Sequence, residues 1–401
     1  MVTSVLDHLE TVLLLHWHER MNNPVFVHSR NRKRFHKALS RALKRLRDRR
    51  IPRVALQDPH VSAWRKLYGS SNDQAMITLL GFDVATFEWL REKFDPIYTT
   101  HSPFIAKDGT IVPIRGNGRP RLMTGADCLA LNLAWSRLRG SMTALSVIFG
   151  MTASSVSMYL RFGRRLIIRI LIKEPDAAIC VPSVQKIREY QAAIALKHPS
   201  LDGVWCTMDG LKLYLQQSGN VIIQNMFYNG WTHDHYVSAV FVFCPDGTIP
   251  IACYNMPGCF HDSTIAEWGN VYEKLEQVFD AVGGKCTVDS AFAKKRYDFL
   301  IRSSQADPDS DNPNDYIVNS EATSMRQSAE WGMRALQSSF PRLRDRFIYE
   351  ETGERKIIMK FLLLLYNVRA RKVGINQIRN TYMPYLNRDV NEEFAVPLIP
   401  H

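Results

Sequence analysis

Four acids in this chain have local surroundings suited to holding a divalent cation. Asp209 closes an apolar run that begins at Val204 and is followed by Gly210; Asp289 closes the run from Cys286 and is followed by Ser290. Asp262 lies in the segment 257–263, directly after His261. Glu330 falls in a helical stretch among Ala329, Trp331, Met333 and Leu336. An acid in half-buried surroundings is costly unless it is paired or binds a metal. Carboxylates drawn to one point repel one another, and divalent cations relieve that repulsion. Two such ions about 3.5–4 Å apart hold the attacking and leaving oxygens of a phosphodiester. All-oxygen donors favour Mg2+ or Mn2+ over zinc. The expected chemistry is metal-dependent phosphodiester cleavage, with Asp209, Asp262, Asp289 and Glu330 as catalytic groups and metal ligands together. Taken singly, a strand-end aspartate is also an ordinary turn residue, so the residues alone leave both readings standing. Arg326 and Arg334 flank Glu330 four residues to either side. They read either as helix salt bridges or as contacts to a DNA backbone beside the metals.

The acids need a frame. Segments 204–209, 211–216, 236–243 and 249–254 read as short strands, the last two joined by a hairpin turn at Pro245, Asp246 and Gly247, and 285–289 reads as a further strand. Helices are expected at about 322–340 and 355–373. Meander strands, one later strand and an acid-bearing helix give an α/β fold with an RNase H-like core, a mixed sheet flanked by helices.

An all-α region precedes that core. Helical patterns cover 60–100, the stretch from Thr124 through Trp135, and 143–149, 154–171 and 183–196. The tight turn of Gly150, Met151 and Thr152, with small polar residues opening the next helix, is a helix-turn-helix pattern, a signature shared by plain helical bundles. Ser154 and Ser155 at that opening, with Arg161 and Arg164 beyond it, are the expected DNA contacts. Segment 101–122, rich in glycine, proline and arginine, reads as a basic loop. Segment 30–50 carries eleven lysines and arginines against one acid, Asp48, and its apolar residues recur at steps of three and four. It reads as a basic amphipathic helix. Arg32, Lys33, Arg34, Lys44 and Arg45 on it are candidates for phosphate contact, with a solvated face or a nuclear-import segment as the other readings. The expected organisation is a basic helical region with a loop (1–122), a helix-turn-helix region (123–200), the nuclease-like domain (201–375) and a tail (376–401).

Lysine and arginine outnumber aspartate and glutamate by 51 to 39, a net charge of +12. Such an excess favours a polyanion, either nucleic acid or an anionic membrane surface. No apolar run approaches the ~20 residues of a membrane span, and the short run 12–15 follows Asp7 and Glu10 without a basic leader, so neither a span nor a signal peptide is expected. Seven cysteines without a Cys-x-x-Cys pair read as reduced thiols of the cytosol or nucleus, and their spacing disfavours zinc. His233 and His235, either side of Asp234, read as a surface cluster rather than a second metal site.

Five strings in order between Met208 and Lys372 carry a resemblance: Met208 to Gly210, Gln224 to Trp231, Pro257 to Ser263, Val288 to Phe292, and Arg326 to Gly332. They resemble the PIF/Harbinger-type DDE transposases and the nuclease-like proteins derived from them. The resemblance implies a nuclear enzyme that cuts double-stranded DNA, and possible strand transfer by the freed 3′-hydroxyl. It implies a divalent metal, a separate Myb-like DNA-binding partner, and admits a homo-oligomer. It places Asp209, Asp262, Asp289 and Glu330 on the family's acidic positions. Asp289 fits the second position of the strict triad, since an RNase H-like core carries that acid at the end of its fourth strand. Asp262 is then an additional ligand or an orienting group, with His261 hydrogen-bonded to it. The chain departs from the family in having Val288 before Asp289 and Ala329 and Trp331 around Glu330. Two other classes remain: a domesticated DNA-binding scaffold that has lost the reaction, and a basic RNA-binding protein, for which the expected aromatic platforms are not visible.

Overall fold

The computed structural model describes residues 51–106, 108–114, 120–139, 141–292, 297–302, 313–347 and 352–384. The basic segment with Arg32, Lys33, Arg34, Lys44 and Arg45 lies outside the described residues, as does most of the tail. Contacts divide the chain into Met1–Leu56 and Gln57–His401. Of the first unit only residues 51–56 are described, and they hold a single 3-10 turn, Arg53–Ala55. The second unit runs through positions 122 and 200 without a break.

Its N-terminal part is helical: α1 (Ala63–Gly69), α2 (Asp73–Leu80) and α3 (Val84–Thr100) lead to a hairpin of β1 (His101–Ile105) and β2 (Ile111–Pro113). The hairpin stands where the basic loop was expected, because Ile105 pairs with Ile111 across the glycine-bearing turn. Helices α4 (Gly125–Arg137), α5 (Met142–Phe149), α6 (Ala153–Leu171) and α7 (Val184–Ala195) follow. Thr124 and Asp127 close a reciprocal capping box at the start of α4, and the Asp127 carboxylate also accepts from Trp64 Nε1 (2.9 Å) and Arg65 Nη2 (2.7 Å). One acid thus fixes α4 against α1.

The sheet follows as β3 (Val204–Tyr214), helix α8 (Val221–Phe227), β4 (Tyr228–Asn229), β5 (Asp234–Phe243) and β6 (Ile251–Pro257). Helices α9 (Asp262–Trp268) and α10 (Val271–Val282) lead to β7 (Lys285–Val288) and β8 (Leu300–Arg302); α11 (Pro313–Ser339), α12 (Thr352–Lys372) and α13 (Gln377–Tyr382) complete the described chain. β5 lies between β3 and β6, antiparallel to both, while β7 and β8 run parallel to β3 on its other side. This mixed, helix-flanked sheet is compatible with an RNase H-like core.

Three expectations change. The runs 204–209 and 211–216 form one continuous strand, so Asp209 stands within β3 rather than at its end; the extended backbone carries straight through Gly210 because β5 pairs with the whole length, Thr207 to Tyr214. Asp262 opens a helix that the pattern of apolar residues did not announce. Helix α11 begins nine residues before the expected 322. Its buried stripe of Ala322, Met325, Ala329, Met333 and Leu336 packs on the sheet. Gly332 allows that close approach, since a Cβ there would stand 2.6 Å from the Phe243 ring.

Candidate active site

β3 and β7 lie parallel in a register that pairs Cys206 with Cys286, Thr207 with Thr287, and Met208 with Val288. Two similar runs, Cys-Thr-Met-Asp and Cys-Thr-Val-Asp, are therefore aligned residue for residue, and Asp209 and Asp289 emerge side by side. β7 ends at Val288 while β3 continues to Tyr214, so β7 leaves β3 beyond Asp209, and Phe347 pairs with the strand only at its far end, at Tyr214 and Gln216. Asp262 reaches the same strand from the first turn of α9, with its carboxyl group seated against Gly210.

The three aspartates sense one another. Burial pushes the Asp209 carboxyl up to about 6, with a further push from the carboxylates of Asp262 and Asp289; the Gly210 N–H (2.7 Å) and Arg326 act the other way. Burial also raises Asp262, and Asp289 adds to it, against the opposing charges of Lys212 and His261. Asp289 accepts from the Ser290 N–H at 2.7 Å. The His261 imidazole is exposed and acts on Asp262 through its field; the expected hydrogen bond is absent, because His261 occupies the position before the helix and its ring turns outward to solvent.

Glu330 is held differently. It sits between Arg326 (3.5 Å) and Arg334 (3.8 Å) on α11, so both arginines form the helix ion pairs that the spacing allowed. Arg334 is mostly exposed. Arg326 is largely buried, its Nε has no hydrogen-bond partner, and its charge reaches Asp209. Arg326 thus acts on both Glu330 and Asp209.

The mutual repulsion around Asp209 is what a divalent cation relieves, and the donors are hard carboxylate oxygens, so the aspartates fit Mg2+ or Mn2+. As the side chains stand, no group of three or more His, Cys, Asp or Glu among the described residues is closed enough to hold a metal ion. No three of the four acids close into a ligand set as the side chains stand, and Glu330 is engaged by its two arginines.

The expected DNA contacts divide. α5 and α6 meet at a 93° bend around Gly150, which adopts a left-handed conformation (φ 64°); a Cβ there would stand 2.5 Å from the Gln57 carbonyl oxygen. Ser154 and Arg161 are exposed on α6. Ser155 is half-buried and its hydroxyl shares a hydrogen bond with Thr152 Oγ1 (3.1 Å) in the helix cap. Arg164 is no DNA contact: it is 5% exposed, stacks on Trp135 (4.2 Å to the ring centre) and pairs with Glu354 (3.6 Å). The packing of α6 against α12 covers it, which a linear charge pattern does not reveal. Asp234 is engaged by both Nη atoms of Arg346 and His233 is exposed, whereas His235 is buried beside Tyr228, so only the first two of the trio lie at the surface.

The role of Gly210, named in sequence only as the residue after Asp209, and the presence of Lys212 were not anticipated. Gly210 provides the seat of Asp262, and Lys212, two residues along the same strand face, opposes its charge. Strand alternation after Asp209 was the available signal.

Residues 208–367 match the family model for DDE superfamily endonucleases. The matched DDE-type segment begins one residue before Asp209, ends within α12 and contains all four acids. None of the curated proteins or solved structures compared with the chain matches it. All seven cysteines are free thiols. Among the described residues no single helix is long and apolar enough to cross a membrane.

Proposed function

We propose that this protein is a metal-dependent DNA endonuclease of the PIF/Harbinger transposase type, acting in the nucleus on double-stranded DNA. The observation that carries the reading is the pairing of β3 with β7, which sets Asp209 beside Asp289, with the charge of Asp262 reaching both. Asp209, Asp289 and Asp262 are the groups that would hold Mg2+ or Mn2+, which when bound supplies charge neutralisation and an activated water for an in-line displacement. Burial strengthens every charge interaction at Asp209, and its raised carboxyl, mostly ionised at neutral pH, is a charge that a cation would relieve. Arg326, whose charge reaches Asp209, would offer its guanidinium to a phosphate oxygen of the strand being cut. Glu330 belongs to the acidic set through the family resemblance, and its ion pairs with Arg326 and Arg334 would have to open for it to serve as a ligand. The α5–α6 turn serves as a helix-turn-helix that presents Ser154 and Arg161 to the duplex, with the basic segment 30–50 adding phosphate contacts. A Myb-like partner and a homo-oligomer belong to this reading through the family resemblance.

The pairing of Glu330 with Arg326 and Arg334 favours a second reading, a DNA-binding scaffold that keeps the fold without the reaction. Nicking of a supercoiled duplex in Mg2+ or Mn2+, compared with Asp209→Ala, separates them. The enzyme reading expects metal-dependent nicks that the variant loses. Wild-type protein that binds DNA and cuts with neither metal establishes the scaffold.

A further inference from the structure

Successive side chains of a strand project to opposite faces, so position 210 belongs to the face of β3 opposite that of Asp209. The carboxyl group of Asp262 fills the space that a side chain there would take. A Cβ on Gly210 would stand 2.6 Å from both Cγ and Oδ2 of Asp262 and 2.8 Å from Oδ1. Non-bonded carbon contacts are comfortable only near about 3.5–4.0 Å, so even a methyl group is incompatible with Asp262 in its place. All three of the nearest atoms belong to that one carboxyl group.

Glycine has no backbone reason to be here. Gly210 is not among the residues with positive φ; it lies in a regular strand, paired with Val240 of β5. In such a position glycine weakens a strand and marks a close approach by another group. The approaching group is the carboxylate of Asp262, carried in by the first turn of α9, and Lys212 on the same face supplies the facing charge.

We propose that Gly210 is a positioning residue, whose missing side chain is the socket that seats the Asp262 carboxylate against the face of β3 opposite Asp209. Its consequence for metal binding rests on the function proposed above; the socket itself does not.

The test uses the full chain as Gly210→Ala, Asp262→Ala and the double variant, each followed by urea unfolding in EDTA and by Mn2+ binding from the electron paramagnetic resonance of the free ion. Gly210→Ala alone is expected to lower the urea midpoint and to weaken Mn2+ binding at least tenfold. In the Asp262→Ala background the same glycine change is expected to leave the midpoint unchanged or higher, since the carboxylate is gone. An equal drop in both backgrounds overturns the proposal, whereas a folded Gly210→Ala protein with a lowered midpoint that binds Mn2+ like the wild type overturns only its consequence for the metal. A Gly210→Ala chain that fails to fold supports the proposal if the double variant folds, and refutes it if the double variant fails too. If wild-type protein binds no Mn2+, the metal reading fails while the midpoints still decide the socket.

Discussion

Replacing Asp209 by asparagine should stabilise the metal-free protein at neutral pH. Burial and two neighbouring carboxylates lift the Asp209 carboxyl from an ordinary 3.8 to about 6. A carboxyl raised in this way favours the folded state while it stays protonated. That contribution is complete below pH ~4, where the unfolded chain is protonated too, and is lost as pH climbs through 6. A difference of about 2 pH units at ~1.36 kcal/mol each makes the loss roughly 3 kcal/mol. Asparagine removes the charge and can still accept the Gly210 N–H, although it forgoes the attraction of Arg326. The assay is urea unfolding of wild type and Asp209→Asn in EDTA at pH 4.5 and pH 7.5. The variant's advantage should be small at the lower pH and about 2–3 kcal/mol at the higher, and Mg2+ should recover stability in the wild type alone. An advantage independent of pH, or a variant less stable at pH 7.5, would refute the account of Asp209 as a strained, cation-seeking carboxylate.

Arg164→Ala should cost about 3 kcal/mol, the low end for a broken buried pair because Arg165 still faces Glu354. At equal salt it should leave the salt dependence of DNA binding unchanged, whereas Arg161→Ala should reduce that slope by about 1; titrations across a salt series distinguish the two arginines. Gly332→Ala should destabilise by about 1–3 kcal/mol, measured by urea midpoint, because the added methyl meets the Phe243 ring and pushes α11 off the sheet.

Local patterns are legible when they arise from local forces. The capped start of α4 at Thr124, the turn at Gly150, and the apolar strands around Asp209 and Asp289 follow from hydrogen bonding and side-chain periodicity within a few residues. The short helix beginning at Asp262 carried no such signal, since seven residues give too little periodicity to distinguish a helix from a turn. Arg164 misled for another reason: a cation in a row of arginines looks like surface until the helix that covers it is known. The paired Cys-Thr runs of β3 and β7 were visible in sequence, but their alignment is a property of the sheet.

The chain's residues by themselves determined that the charge excess points to a polyanion and which acids are candidates, while their order suited to a DDE-type domain came from the family resemblance. Tertiary structure alone decided which candidates meet. Parallel pairing of β3 with β7 brings Asp209 beside Asp289, a contact between residues eighty apart that no local propensity encodes. The side chain missing from Gly210 admits Asp262. The helix geometry of α11 gives Glu330 to Arg326 and Arg334, because residues four apart on one helix meet before either can reach across to the sheet.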